Sequence, residues 1–188
     1  FHSDQNALQR PHISSPYATW SAPHYESLLA PFIIVETQSV GRVKMRLICW
    51  NVNGIRAMHK KGLLDFLLQD GADIICLQET KASVDQLPPE LQELPGYHSY
   101  FVSPEDRKGY SGVFLYSKVE PFKLVPGMGQ RRFDSEGRTM VAHFDDFVLF
   151  NIYFPNGKAS PERLRYKMEF YEEFMEVAKR TVESGKHV

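Results

Sequence analysis

The run Phe147 to Gly157 (FVLFNIYFPNG) fixes where one strand of this chain has to stop. The apolar stretch Phe147–Phe150 continues through Asn151–Phe154, but Pro155 has no N–H and cannot extend a ladder. Asn156-Gly157 then supplies a tight turn. Tyr153 and Asn156 are therefore expected on rigid backbone at one rim of a sheet, a place where ligands commonly sit. Taken alone, the pattern reads more readily as a plain strand end with a core tyrosine.

The same punctuation recurs upstream. Residues 46–52 (RLICWNV) read as a buried strand closed by Asn53-Gly54. Residues 60–70 carry Leu63, Leu64, Phe66, Leu67 and Leu68, a short helix with a broad apolar face. Residues 73–78 are a second buried strand, and Pro88-Pro89 opens a short helix ended by Pro95-Gly96. Residues 97–102 and 112–117 read as strands. Residues 138–144 and 147–153 form a hairpin about Asp145-Asp146, while Gln130-Arg131-Arg132 reads as a solvated loop. A long helix starts at Pro161, capped by Ser160, with a stripe of Leu164, Met168, Tyr171, Met175, Ala178 and Val182 facing a sheet. It ends near Gly185, where another strand is expected to begin. Two βα-type units followed by an antiparallel hairpin make a mixed α/β (α+β) chain.

Residues 1–44 are rich in Ser, Pro, His and Gln and show no sustained period. Strand pattern begins abruptly at Met45. The expected organisation is an extraneous or loosely attached segment over 1–44 and one domain over 45–188, with a disordered regulatory tail as the alternative for the first part.

With 188 residues and 43% hydrophobic content the chain can build a real core. A net charge of −1 supplies no global basic field, so a polyanion would have to be met by local clusters. No stretch is apolar long enough to span a bilayer, so no membrane partner is expected. Cys49 and Cys76 lie in apolar runs and read as buried thiols of a reducing compartment, cytoplasmic or, in a eukaryote, nuclear.

Polar residues collect at the strand ends: Asn51 and Asn53, then Gln78-Glu79-Thr80, then Tyr153 and Asn156. A buried amide without a partner costs about 1–3 kcal/mol. A carboxylate straight after an apolar strand needs a partner too, and a hard cation is the simplest, because Mg²⁺ is usually held by one or two carboxylates plus waters and phosphate. A lone Glu79 reads more often as a helix cap or a Lys81 partner, and Asn51 as a loop brace. Neither plain reading explains why these residues share strand ends with Tyr153 and Asn156.

Five segments together resemble the exonuclease III family of AP endonucleases, within the endonuclease/exonuclease/phosphatase superfamily. They are CWNVNGIRA (49–57), LQETK (77–81), GYSGV (109–113), EGR (136–138) and YFPNG (153–157), in the family's order. The resemblance runs through residues 45–185 and implies a four-layer αββα sandwich of the DNase I-like type. It implies Mg²⁺-dependent cleavage of DNA, with Mn²⁺ as a possible substitute, 5′ to abasic sites, together with 3′-exonuclease and 3′-phosphodiesterase activity. The implied partner is double-stranded DNA with abasic sites or 3′ ends, bound by a monomer of the full-length protein. By the same resemblance Glu79 binds the metal and Asn51 lines its site, with Asn53 supporting. Tyr153 assists at the scissile phosphate and Asn156 contacts it. Arg56, Lys60, Lys61, Gly109 and Tyr110 match backbone contacts, although the lysines also fit a solvated helix start and Tyr110 a core position.

The resemblance stops short at the C-terminal side. The family's Gly-Asp-x-Asn and Ser-Asp-His motifs do not occur here, and no Asp follows Asp146. The fold is thus expected to be incomplete, and these 188 residues inactive and aggregation-prone alone, while a longer parent is active. Other phosphodiesterases of the superfamily, acting on RNA, inositol phosphates or lipids, remain an alternative, as does a non-catalytic fragment that keeps weak DNA binding.

Overall fold

The computed structural model describes residues 32–37 and 45–188. Two sheets account for its strands. The first has five strands in the order β1-β2-β3-β5-β4, namely β1 (Phe32–Thr37), β2 (Met45–Asn51), β3 (Ile74–Gln78), β5 (Val113–Ser117) and β4 (His98–Val102). The second has three, β6 (Lys123–Pro126), β7 (Thr139–His143) and β8 (Val148–Ile152). Only β2 and β3 run parallel, so the first βα-type unit closes as expected while the second returns antiparallel. The β7–β8 hairpin turns at Asp145-Asp146, closed by the Phe144 N–H donating to the Phe147 carbonyl.

Three apolar clusters make four layers of these elements. On one side of the first sheet, Ile48, Trp50, Ile75, Leu77, Phe114 and Tyr116 pack against α1 (Ile55–His59), α2 (Leu63–Asp70) and α3 (Pro89–Gln92). Between the sheets lie Ile74, Cys76, Val113 and Leu115 from one and Met140 and Ala142 from the other. Behind the second sheet, Phe133 of α4 (Arg131–Asp134) and Phe170 of α5 (Pro161–Glu183) are buried. The alternation of the strand sequence dictates this layering, since neighbouring residues of one strand face opposite sides.

Several expectations need correction. Phe32–Thr37 pairs antiparallel with β2 from Phe32↔Trp50 to Thr37↔Met45, so the expected boundary at Met45 falls between two paired strands. The rest of 1–44 lies outside the described residues. The helix expected over 60–70 starts at Leu63, because Gly62 has a left-handed φ of 93° and separates it from α1. Gln130-Arg131-Arg132 enters a helix rather than a loop, and Arg132 pairs with Glu169 at 2.6 Å.

Cys49 is exposed, not buried. It lies on β2, opposite in pleat to Ile48 and Trp50, while the second sheet touches the first at β3 and β5. Both cysteines are free thiols.

Helix α5 starts as expected, with Ser160 accepting from the Arg163 N–H at 3.2 Å and Pro161 in the first turn. Its packed face is a different one. Leu164, Met168, Met175 and Val182 are 51–61% exposed. Tyr166, Phe170, Phe174 and Val177, also at helical spacing, cover the sheet instead. Aromatic rings bury more area per position, and Phe170 meets Phe133 and Phe154 edge to face. Past α5, His187 forms an isolated parallel bridge with Phe147, at the place where a further strand is expected. That bridge lies at the far end of β8, roughly 20 Å along the strand from Tyr153 at about 3.3 Å per residue. Among the described residues, no helix is long and apolar enough to cross a membrane.

Candidate active site

Among the described residues, four non-glycine positions have left-handed backbone: Asn53 (φ 46°), Glu79 (55°), Lys81 (53°) and Ser111 (40°). All lie in the loops that follow β2 and β3 or precede β5. Such conformations cost on the order of 1–3 kcal/mol each and persist only where neighbours enforce them. Here the neighbours are backbone bonds that carry the sheet pairing past the strand ends. Gly54 N–H donates to the Glu79 carbonyl at 2.8 Å, Ile55 to Thr80 at 2.9 Å and Lys81 to Ser111 at 2.8 Å. A Cβ on Gly112 would lie 2.3 Å from the Thr80 hydroxyl oxygen, so only glycine allows this approach. Asn often adopts this conformation, but Glu and Lys give no sequence signal for it.

These bonds hold the side chains of Asn51, Asn53, Glu79 and Lys81 together. The Lys81 ammonium is 3.0 Å from Glu79 Oε1 and donates to Asn53 Oδ1 at 2.6 Å. Asn51 Oδ1 accepts from the Asn53 N–H at 3.0 Å. The plain roles considered for Glu79 and Asn51, a Lys81 partner and a loop brace, are thus both present. Glu79 also lies close enough to Tyr153 for its charge to act on the phenol, which neither role explains. Burial pushes the Tyr153 hydroxyl above its ordinary value and the Glu79 charge raises it further, against a lowering by Arg138. The phenol therefore stays protonated at neutral pH and can donate.

The donor set suits a hard cation. Glu79 offers a carboxylate, Asn51 an amide oxygen, and Lys81 shows that positive charge is accommodated at 3.0 Å from that carboxylate. Among the described residues no three His, Cys, Asp or Glu side chains converge on one point, so waters and a substrate phosphate would have to complete a coordination shell.

Two clefts lie among these residues, and Glu79 pairs with Lys81, a wall residue of the second. The first, about 550 Å³, is lined by Tyr153 together with Tyr110, Asn156, Arg107 and Lys158. The second, about 490 Å³, is lined by Lys81 with Arg56, Lys60, Gly54 and Gly109. Lys61 is exposed and lines neither. Asn156 accepts from the Lys158 N–H at 2.9 Å, which closes the turn after Pro155 and leaves the side chain at the surface. The first cleft also has a buried support that the sequence reading left without a role. Glu136 accepts from Arg163 at 2.7 Å and from Arg138. Burial would raise its carboxyl, but the two arginines outweigh that and hold it below the usual carboxylate range.

A second support was missed. The buried Gln78 donates to Asn151 Oδ1 at 2.8 Å, and the Asn151 amide donates to the Phe114 carbonyl at 2.8 Å. One amide pair thus pins the two sheets together one residue before Glu79 and two before Tyr153. The only sequence clue was a pair of amides in otherwise apolar strands.

Comparison with known proteins agrees with this geometry. The Endonuclease/Exonuclease/phosphatase family matches residues 48–188. The chain is 41% identical over 133 residues to DNA repair nuclease APEX1 of Danio rerio, covering 70% of this chain and 43% of that protein. It is 40% identical over 129 residues to an exodeoxyribonuclease of Bacillus subtilis (strain 168), covering 68% and 50%. The crystal structure of the Xenopus laevis APE2 catalytic domain superposes with a TM-score of 0.65 at 31% identity, over 76% of this chain and 55% of that one. The chain thus spans about half the length of the relatives it matches. Its two sheets and flanking helices are the DNase I-like fold. With the resemblance to the exonuclease III type of AP endonucleases upheld by these relatives, the chain belongs to the endonuclease/exonuclease/phosphatase family.

Proposed function

We propose that this chain is the N-terminal part of a Mg²⁺-dependent DNA repair nuclease of the exonuclease III type. The longer protein would hydrolyse the phosphodiester 5′ to abasic sites and act as a 3′–5′ exonuclease and 3′-phosphodiesterase. The observation that carries this reading is that Glu79 pairs with Lys81 of one cation-lined cleft while its charge acts on Tyr153 of another. A duplex passing these clefts would meet positive charge in both, although the whole chain has a net charge of −1.

Each residue has a task in this reading. Glu79 and Asn51 would hold Mg²⁺, with Asn53 and Lys81 bracing them; Mn²⁺ could replace it. The bound ion would neutralise the charge that develops on the phosphate oxygens. Tyr153 donates its phenolic proton as a hydrogen bond to the scissile phosphate, and Asn156 donates through its amide. Arg56, Lys60 and the Gly109 backbone hold the flanking backbone in the second cleft, with Lys61 on the exposed surface beside them, and Tyr110 holds it in the first. These 188 residues contain no aspartate beyond Asp146 to position the attacking water, so we assign DNA binding to them and cleavage to the longer protein. A monomer acting on DNA in the nucleus or cytoplasm follows from the same reading.

The binding half of the proposal is tested on this chain by fluorescence anisotropy with a duplex carrying one tetrahydrofuran abasic analogue. Affinity should fall linearly with salt on logarithmic axes, and Lys60→Ala should reduce the slope by about 1. Binding that is indifferent to salt, or an unchanged slope in the variant, would remove the second cleft from the interface.

A further inference from the structure

Arg138 is only 2% exposed, a rare state for a cation. It uses the guanidinium as a three-way fork. Nη2 donates to the Tyr110 hydroxyl at 2.5 Å, Nη1 to the Tyr153 carbonyl at 3.3 Å, and Nε to the Glu136 carboxylate. The same group lies 5.1 Å from the Tyr110 ring centroid and 4.8 Å from that of Tyr153. Glu136 is gripped from the other side by Arg163, in the first turn of α5, through bonds of 2.7 and 3.2 Å. Loops before β5, before β7 and after β8 are therefore joined to α5 through one guanidinium. The Tyr153 N–H donates to the Arg138 carbonyl at 2.8 Å, which fixes the two residues to each other by backbone as well.

We infer that Arg138 is a positioning residue, whose fork holds Tyr110 and Tyr153 in one relation across the first cleft while Glu136 and Arg163 set the plane of the fork. Its effect on catalysis rests on the nuclease reading above; the positioning itself does not. A purely structural ion pair would stabilise the fold without ordering the tyrosines. The two roles separate at Arg138→Lys, because an ammonium keeps the charge but cannot make three divergent planar bonds.

The test places 3-fluorotyrosine at position 153 of this chain and follows its ¹⁹F resonance. In the parent chain one narrow line is expected. In Arg138→Lys the line should broaden or move toward free fluorotyrosine. Arg163→Met, which cuts the clasp on Glu136 from the half-exposed side, should act in the same direction and guards against a misfolded Arg138 variant. An unchanged line in folded samples of both variants would overturn the inference. In the longer enzyme, Arg138→Lys should lower kcat on the abasic duplex by about a hundredfold with KM within roughly threefold. A raised KM at unchanged kcat would make Arg138 a DNA contact instead, which also overturns it. If the longer parent enzyme cuts no abasic DNA, the nuclease reading fails, and the fluorine result still decides the positioning role.

Discussion

Glu79→Gln should lower cleavage of an abasic duplex by the longer enzyme about a thousandfold, with little loss of DNA affinity. The change keeps the side chain's shape and its ability to accept from Lys81. It removes the negative charge that would hold a divalent ion. Loss of that ion forfeits several kcal/mol of charge stabilisation at the phosphate, and about 4 kcal/mol corresponds to 10³ in rate. Folding should hardly change, since the Glu79–Lys81 pair is partly exposed and such pairs contribute about 0–1 kcal/mol. Single-turnover rates with saturating Mg²⁺, beside anisotropy and thermal melting, check all three parts. Full activity in the variant would reduce Glu79 to the salt-bridge role that the structure also shows.

The second large effect concerns the sheets. Asn151→Ala should destabilise this chain by about 3 kcal/mol, because it strips a buried partner from Gln78 and another from the Phe114 carbonyl at roughly 1–3 kcal/mol each. It should also slow the longer enzyme, since the amide pair sets the distance between the strand ends bearing Glu79 and Tyr153. The double variant Gln78→Leu with Asn151→Leu separates the two consequences. Replacing both polar partners by apolar groups should recover much of the stability. The rate should stay low, because no directional bond then fixes the sheet register. Urea unfolding of the single and double variants reads the first effect, and cleavage kinetics the second. If Asn151→Ala unfolds at the same urea concentration as the parent, the amide pair is not a pin.

The strand ends were legible because the chemistry there is local. Pro155 stops a ladder wherever it occurs, and Asn53-Gly54 or Asn156-Gly157 turns without reference to the rest of the chain. The clustering of Glu79 with Asn51, Asn53 and Tyr153 was legible only through the resemblance, as spacing alone does not bring strands together. What escaped depends on distant partners. Glu79 and Lys81 adopt left-handed backbone because β2 and the β5 loop bond to them, and nothing in their own residue type announces it. The stripe on α5 was misread because two apolar faces share that helix, and only the sheet behind it decides that Phe170 and Phe174 go inward. Cys49 sits in an apolar run, yet its side chain is exposed on β2, away from the main sheet-to-sheet contacts at β3 and β5. Phe32–Thr37 gained a partner from β2 that no local period foretold. Arg138 looked like one letter of a motif, and its fork became visible only with Tyr110 and Glu136 beside it.

The most direct test of the half-site account is cleavage of a duplex with one tetrahydrofuran abasic analogue, in Mg²⁺ and in EDTA. The 188-residue chain is run beside a version lengthened by the C-terminal half of the family domain. The expected result is Mg²⁺-dependent cutting 5′ to the analogue by the lengthened version, none in EDTA, and binding without cutting by the 188 residues. Cutting by the 188-residue chain alone, or by neither protein in Mg²⁺, would contradict the account.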